Sequence, residues 1–263
     1  MKQTLKICAG FLVILFCSQS YAGLLATDIL NQFNLVVLGD ATSTSEVEGR
    51  SYIGGDLVGG NYAIKNGIPV SAYSGLTVNG NVSNNANVNS LGLTVLQSTS
   101  NTTVNNGQVV IGQNANNSNF NGTGGSYIYG AQSGINQNSG LMSQVEADNR
   151  LAIAQSTDFS SVMNSASSAL SQLTGNSTVN ISGHKATFTA TIDANGLSVF
   201  DITSFDTTLF NLSEFEFVNF ELADTVVINT DIETADIVAN FLGGSALSIA
   251  SNTVWNFYEA TTF

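Results

Sequence analysis

The sequence predicts a mainly β protein: an irregular right-handed β-helix, or β-solenoid, with one long α-helix at about residues 141–173 packed on its flank. Three observations predict this. A short apolar strand motif returns at a spacing of 16 or 17 residues. The linking residues are Asn, Gly, Ser and Thr, which suit tight corners. A single apolar stripe at helical spacing interrupts the strand pattern once.

The strand repeat comes first. Gly75-Leu76-Thr77-Val78 recurs as Gly92-Leu93-Thr94-Val95, then as Val109-Val110-Ile111-Gly112 and Tyr127-Ile128-Tyr129-Gly130. Strand–turn units at such a period are the mark of stacked coils sharing one core. Residues 66–145 contain no Asp, Glu, Lys or Arg, a composition that also suits disorder. The regular apolar placement argues against disorder. Asn and Gly tolerate the left-handed backbone that sharp corners need, and stacked Asn side chains can bond up a ladder. Residues 47–135 are therefore read as the β-helical segment, with a flat antiparallel sandwich as the alternative.

The helix follows. Phe159, Val162, Met163, Ala166, Ala169, Leu170 and Leu173 form one apolar stripe. Thr157 or Asp158 can cap its start and Gly175 can close its end. Met142–Gln155 is a shorter helix before it. The stripe is expected to cover the solenoid flank; binding a partner is the alternative. From Ser177 the strands resume: Thr178–Ile181, Ala186–Ile192, Leu197–Thr203, Thr225–Thr230 and Thr253–Tyr258. Asp193-Ala194-Asn195-Gly196 reads as a turn with Gly at positive φ. Phe215-Glu216-Phe217 and Asn219-Phe220-Glu221 alternate aromatic with polar, so one face is buried and one wet.

The N-terminus has a different pattern. Lys2 and Lys6 precede an apolar run, Ile7–Cys17, and small residues stand at Ser20 and Ala22. This is the order of a cleavable secretory signal peptide, residues 1–22, and the run is short for a membrane span. An uncleaved anchor and an acylated Cys17 are the alternatives. Both cysteines of the chain, Cys8 and Cys17, lie in this leader. The remaining residues 23–263 have no disulfide frame and no thiol chemistry, which favours a bacterial envelope or secreted protein. They keep Arg50, Lys65, Arg150 and Lys185 against 19 acids, a net charge of about −15. Such a field disfavours nucleic acid and anionic membranes as partners. No later stretch is long and apolar enough for membrane insertion.

No catalytic, cofactor-binding or metal-ligating constellation stands out. His184 is the lone histidine and has no cysteine or carboxylate cluster beside it. Gly122-Thr123-Gly124-Gly125 lacks the Lys and helix of a phosphate loop. Asp40, Glu46, Glu48, Arg50 and Asp56 form the one charged cluster near the start, where a Glu48–Arg50 ion pair would hold the first coil. Residues 193–236 carry ten acids and no base. Carboxylates are calcium ligands, so a Ca²⁺ site is one reading of this segment, but the spacing matches no EF-hand or nonapeptide loop. A solvated acidic face is the favoured reading.

Three blocks carry a family resemblance. Phe33-Asn34-Leu35-Val36-Val37-Leu38-Gly39-Asp40, with Val47–Leu57 and Asn61-Tyr62, resembles the opening of the choice-of-anchor A family. Val226-Val227-Ile228-Asn229 and Val254–Thr262 resemble its later blocks, in the same order. The resemblance implies a β-helical, adhesin-like surface or secreted domain over 23–263, without catalytic residues. Members carry alternative C-terminal sorting signals, and some are described as collagen-binding. Family members continue past the block at Asn256–Ala260 into a further segment and an anchor. The sequence ends at Phe263, so either it is expected to lack that C-terminal end or the protein is expected to be released and not anchored, and 253–263 would be an open β edge unless another segment covers it.

The expected function is non-enzymatic adhesion outside the cell, at the bacterial surface or in an extracellular, biofilm-type matrix. The expected partner is an extracellular glycan or a matrix or surface protein, with no cofactor. An ice- or surface-binding solenoid is the first alternative. It would want exposed Thr ranks, for which Thr77 and Thr94 are aligned candidates. A polysaccharide-active β-helical enzyme is the second.

Overall fold

The structure is a computed structural model, and it describes residues 23–65, 67–234, 239–242 and 251–261. The expected leader, 1–22, lies outside the described residues.

The protein is mainly β and solenoid-like. Its first stack has three faces of parallel strands. The first face joins Leu35–Val37, Ser51–Ile53, Leu76–Val78, Leu93–Val95, Val109–Ile111 and Ser126–Ile128 in chain order. In the first two coils the other two faces share one long strand each, Ala41–Val47 and Leu57–Tyr62. Later coils split that strand at a left-handed corner, formed by Asn84 and Asn85, Asn101, Asn117 and Gly134. These residue types accept positive φ at little cost, which explains the Asn-rich linkers. The stack therefore begins at Leu35, earlier than the expected 47, because its bulged opening strand lacks the later repeat.

The register sets the core. Ile53, Val78, Val95, Ile111 and Ile128 form one inward ladder. Tyr62, Val88, Val104 and Phe120 form another, all nearly fully buried. Burying a side chain of this size contributes about 1.5–3 kcal/mol. In the last coil Gln137 continues the second of these ladders beyond Phe120, and Gln132 takes the place of the buried Ala115 on the second face. Two faces of the stack thus end in amides, a polar cap of the kind that keeps repeat stacks from joining end to end.

Tyr62 carries a phenol inside this core. Burial pushes its pKa up to about 12 from an ordinary 10.0, against a smaller lowering by the Ser43 hydroxyl. A folded-state pKa above the unfolded value means stability is intact below pH 10.0 and lost as pH rises through about 12. Tyr62→Phe is expected to shrink that alkaline loss, seen as a smaller fall in melting temperature between neutral and alkaline buffer. An unchanged alkaline limb would exclude Tyr62 as its source.

Helix α1 (Ala26–Gln32) opens the described chain. The long helical stretch is bent, as helix α2 (Gln144–Ala154) and helix α3 (Phe159–Ser171). Ser143 and Glu146 form a reciprocal cap on α2, and Asp158 caps α3 by accepting from the Ser161 N–H. The α3 stripe is buried as expected at Phe159, with Val162 and Met163 packed beside it. Helix α2 covers the first face: Met142 and Ala147 pack on Val110, with Tyr127, Tyr129 and Leu151 beside them.

A second stack follows α3. Lys185–Thr189, Glu214–Val218 and Asn240–Leu242 form one parallel face, edged by the antiparallel strand Thr178–Ser182. Leu197–Asp201, Thr225–Thr230 and Thr253–Phe257 form the other. Phe188, Phe200, Phe215 and Phe220 fill the core between them. Asn229 donates to the Leu170 carbonyl, and Asn256 exchanges hydrogen bonds with Ser167. Helix α3 therefore lies along this second face. Gly196 takes φ +79 in the expected turn. The alternation expected at Asn219-Phe220-Glu221 is instead a 3-10 turn, Phe220–Leu222, because Asn219 turns the chain at φ 64.

Candidate binding face

The third face of the first stack presents a regular outward surface. Its strands pair Asn61, Asn87, Thr103, Asn119 and Asn136 in one rank. Two residues on in the four later coils, Asn89, Asn105, Asn121 and Asn138 form a second rank, and the N–H groups of Asn89, Asn105 and Asn121 donate to the carbonyls of Tyr62, Val88 and Val104. Side chains alternate across a strand, so both ranks point out while the residue between points in. Strand spacing makes this an array of about 4.8 Å by roughly 7 Å.

The amides bond up the stack. Asn105 donates to Asn89 at 3.0 Å, Asn136 to Asn119 at 2.6 Å and Asn138 to Asn121 at 2.9 Å. A ladder bond uses one amide N–H and one oxygen lone pair. Each such amide keeps a donor and an acceptor for a ligand, with its orientation already restrained. No charge lies on these ranks from Asn61 to Asn138.

A second ladder supports the corner between the first and second faces. Asp40, Asp56, Asn81, Ser98 and Asn114 each accept from a backbone N–H of the next coil, those of Asp56, Asn81, Ser98, Asn114 and Ala131. Asp40 and Asp56 are thus corner posts of the stack. The expected Glu48–Arg50 pair is not formed. Glu48 instead pairs with Lys65 at 2.9 Å. Arg50 is 2% exposed and donates to the carbonyls of Gln32, Pro69 and Tyr73. The two side chains leave the strand for partners on a long loop that their spacing alone does not reveal.

The remaining candidates are scattered. His184 is exposed, 3.8 Å from Glu214. Gly122-Thr123-Gly124-Gly125 forms a coil corner, with Gly124 and Gly125 at positive φ. Within 193–236, Asp193 closes its own turn by accepting from Asn195 and Leu197, which holds its pKa low. Among the described residues no three His, Cys, Asp or Glu side chains converge. Thr77 and Thr94 do align, but both are buried, against Ile153 and Ala154 of α2, and Thr94 bonds Ser74. They form no exposed rank.

A bent helix clamped over one face of a solenoid, with a repetitive amide-rich face left open from Asn61 to Asn138 and Glu46 in register at its start, defines a β-solenoid domain. The chain belongs to the family described as Putative Ice-binding-like adhesive domain, whose sequence model matches residues 26–263. No curated protein and no solved structure matches it. The family supports an adhesive or surface-binding role and an extracellular or surface location. Among the described residues no helix is long and apolar enough to cross a membrane.

Proposed function

We propose that this chain is a non-enzymatic adhesion domain, secreted or displayed at a bacterial surface, that binds an extended extracellular glycan or matrix protein through its third face. The observation that carries the reading is the pair of asparagine ranks, in register from coil to coil and uncovered by either helix. A repeating ligand can engage several amides at once, so weak neutral hydrogen bonds add up through effective concentration. The net charge of about −15 beyond the leader disfavours nucleic acid as the partner. Within this reading the choice-of-anchor A resemblance at Phe33–Asp40 and Val47–Leu57 supports an exported, adhesin-like protein.

The test is a glycan and matrix-protein array probed with the protein at high micromolar concentration. Binding to an extended polymer is the expected result. An array without hits would sink the reading, and release of reducing ends or unsaturated sugars would overturn the non-enzymatic part.

Ice or another crystalline surface is the second reading, favoured by the regular spacing of the same ranks. It now rests on asparagine, since the Thr77 and Thr94 rank is buried. Thermal hysteresis or crystal shaping in a freezing assay would promote it.

A further inference from the structure

Only four basic residues follow the expected leader. Lys65 and Lys185 meet surface carboxylates, Glu48 and Glu216. The other two, Arg50 and Arg150, meet at one cavity. It lies where the corners of successive coils approach α2 and the loop before Gly75, and its volume is about 210 Å³. Arg50, Ser71, Tyr73, Gln108, Thr123 and Arg150 line it, and among the described residues no Asp or Glu does.

The guanidinium of Arg50 is the unusual group. Its Nε donates to the Tyr73 carbonyl and its Nη1 to the carbonyls of Gln32 and Pro69. Its Nη2 has no acceptor among the described residues. A buried guanidinium held only by neutral carbonyls keeps much of its desolvation penalty. Burial lowers the Arg50 pKa, and the nearby charge of Arg150 lowers it further. Arg150 is held beside the cavity by bonds to the Gln108 Oε1 at 2.6 Å and the Ala72 carbonyl at 2.9 Å. A carboxylate in the cavity would offset the buried Arg50 charge at short range and supply Arg150 with a charged acceptor beside its neutral ones.

The rest of the lining describes what carries the carboxylate. Ser71 accepts from the Tyr73 N–H and retains its own hydroxyl proton. Thr123 donates to Asn106 and retains its lone pairs. Gln108 gives its oxygen to Arg150 and retains two amide donors. These are neutral groups suited to ring hydroxyls. The volume equals that of about seven waters at ~30 Å³ each, room for one sugar ring.

We propose that this cavity binds the carboxylate of a uronic-acid residue in an acidic glycan, at a site separate from the asparagine face. The ligand has to be recognised at contact distance, because the acidic chain as a whole repels anions.

The test is calorimetric titration of the whole protein with a galacturonate trimer and with its neutral galactose counterpart. The acid is expected to bind at least about tenfold more tightly than the neutral sugar. Arg150→Gln is expected to weaken the acid by about tenfold or more. Arg50 also holds three carbonyls and its substitution endangers folding, so Arg150→Gln carries the test, with its thermal melt confirming the fold. Asn119→Val/Asn121→Val on the third face is expected to leave the trimer's affinity unchanged. Four results would each overturn the proposal: no binding of the acid, equal binding of the neutral sugar, an Arg150→Gln affinity within about twofold of the parent, or loss of binding in the third-face variant. Displacement of the trimer by an equal concentration of inorganic sulfate or of a glutamate-rich peptide would overturn the sugar-acid assignment.

Discussion

Phe159→Ala is expected to destabilise the protein by about 3–5 kcal/mol, the range for removing a large aromatic side chain from a well-packed core. Phe159 is 1% exposed. It stacks on Tyr52 at 3.7 Å between ring centroids, and meets Phe33 at 5.3 Å and Tyr73 at 5.5 Å edge-on. Its position explains the size of the effect. It is the first residue of α3, just past the bend in the helical stretch, and it holds that bend against the first face of the solenoid. The bend has polar supports too: the Tyr73 hydroxyl donates to Thr157, which also accepts from the Leu24 N–H. Truncating Phe159 leaves three rings facing a void and weakens the seating that those bonds need. Urea unfolding measures the loss. A change below about 1 kcal/mol would show that the four-ring cluster does not anchor the helix. Phe159→Leu, which refills much of the volume, is expected to lose less.

The solenoid and its helix were legible because both rest on periodicity. Leu76, Leu93 and Val109 occupy one register position in the stack, and their spacing alone announces the coil. Asp158 was readable as one of two candidate caps, beside Thr157, because capping is local. What escaped the sequence depends on long-range approach. Thr77 and Thr94 look like an exposed rank until α2, some 50 or more residues later in the chain, lies over them. Glu48 and Arg50 look like a pair until the loop after Ala63 brings Lys65 to one and the Pro69 and Tyr73 carbonyls to the other. Asn219-Phe220-Glu221 has a strand's alternation, and only its left-handed Asn219 shows the turn. The asparagine ranks did leave a signal. Asn87-Val88-Asn89, Thr103-Val104-Asn105, Asn119-Phe120-Asn121 and Asn136-Gln137-Asn138 repeat a polar–core–polar triplet once per coil. Composition masked it, since Asn is common in the corners as well.

Removing both outward amides of one coil by Asn119→Val/Asn121→Val is expected to weaken binding to the extended ligand by about thirty- to hundredfold, or roughly 2–3 kcal/mol. Two amides offer up to four hydrogen bonds of about 0.5–1.5 kcal/mol each, and ordering of the ligand reduces the sum. The loss also interrupts a row. Asn136 and Asn138 lose their acceptors, so neighbouring amides are no longer restrained where the ligand crosses. Stability is expected to stay within about 1 kcal/mol, because Val suits a strand and the inward Phe120 is untouched. That separation of binding from folding distinguishes a binding face from a merely structural ladder. Ser100→Val/Asn116→Val is the control, at outward positions of the second face, and is expected to leave binding unchanged. If the third-face variant binds as well as the parent while its fold is intact, the asparagine ranks are a structural device of the coil and the adhesive surface lies elsewhere. If both variants lose binding equally, recognition is spread over the whole polar surface and register plays no part in it.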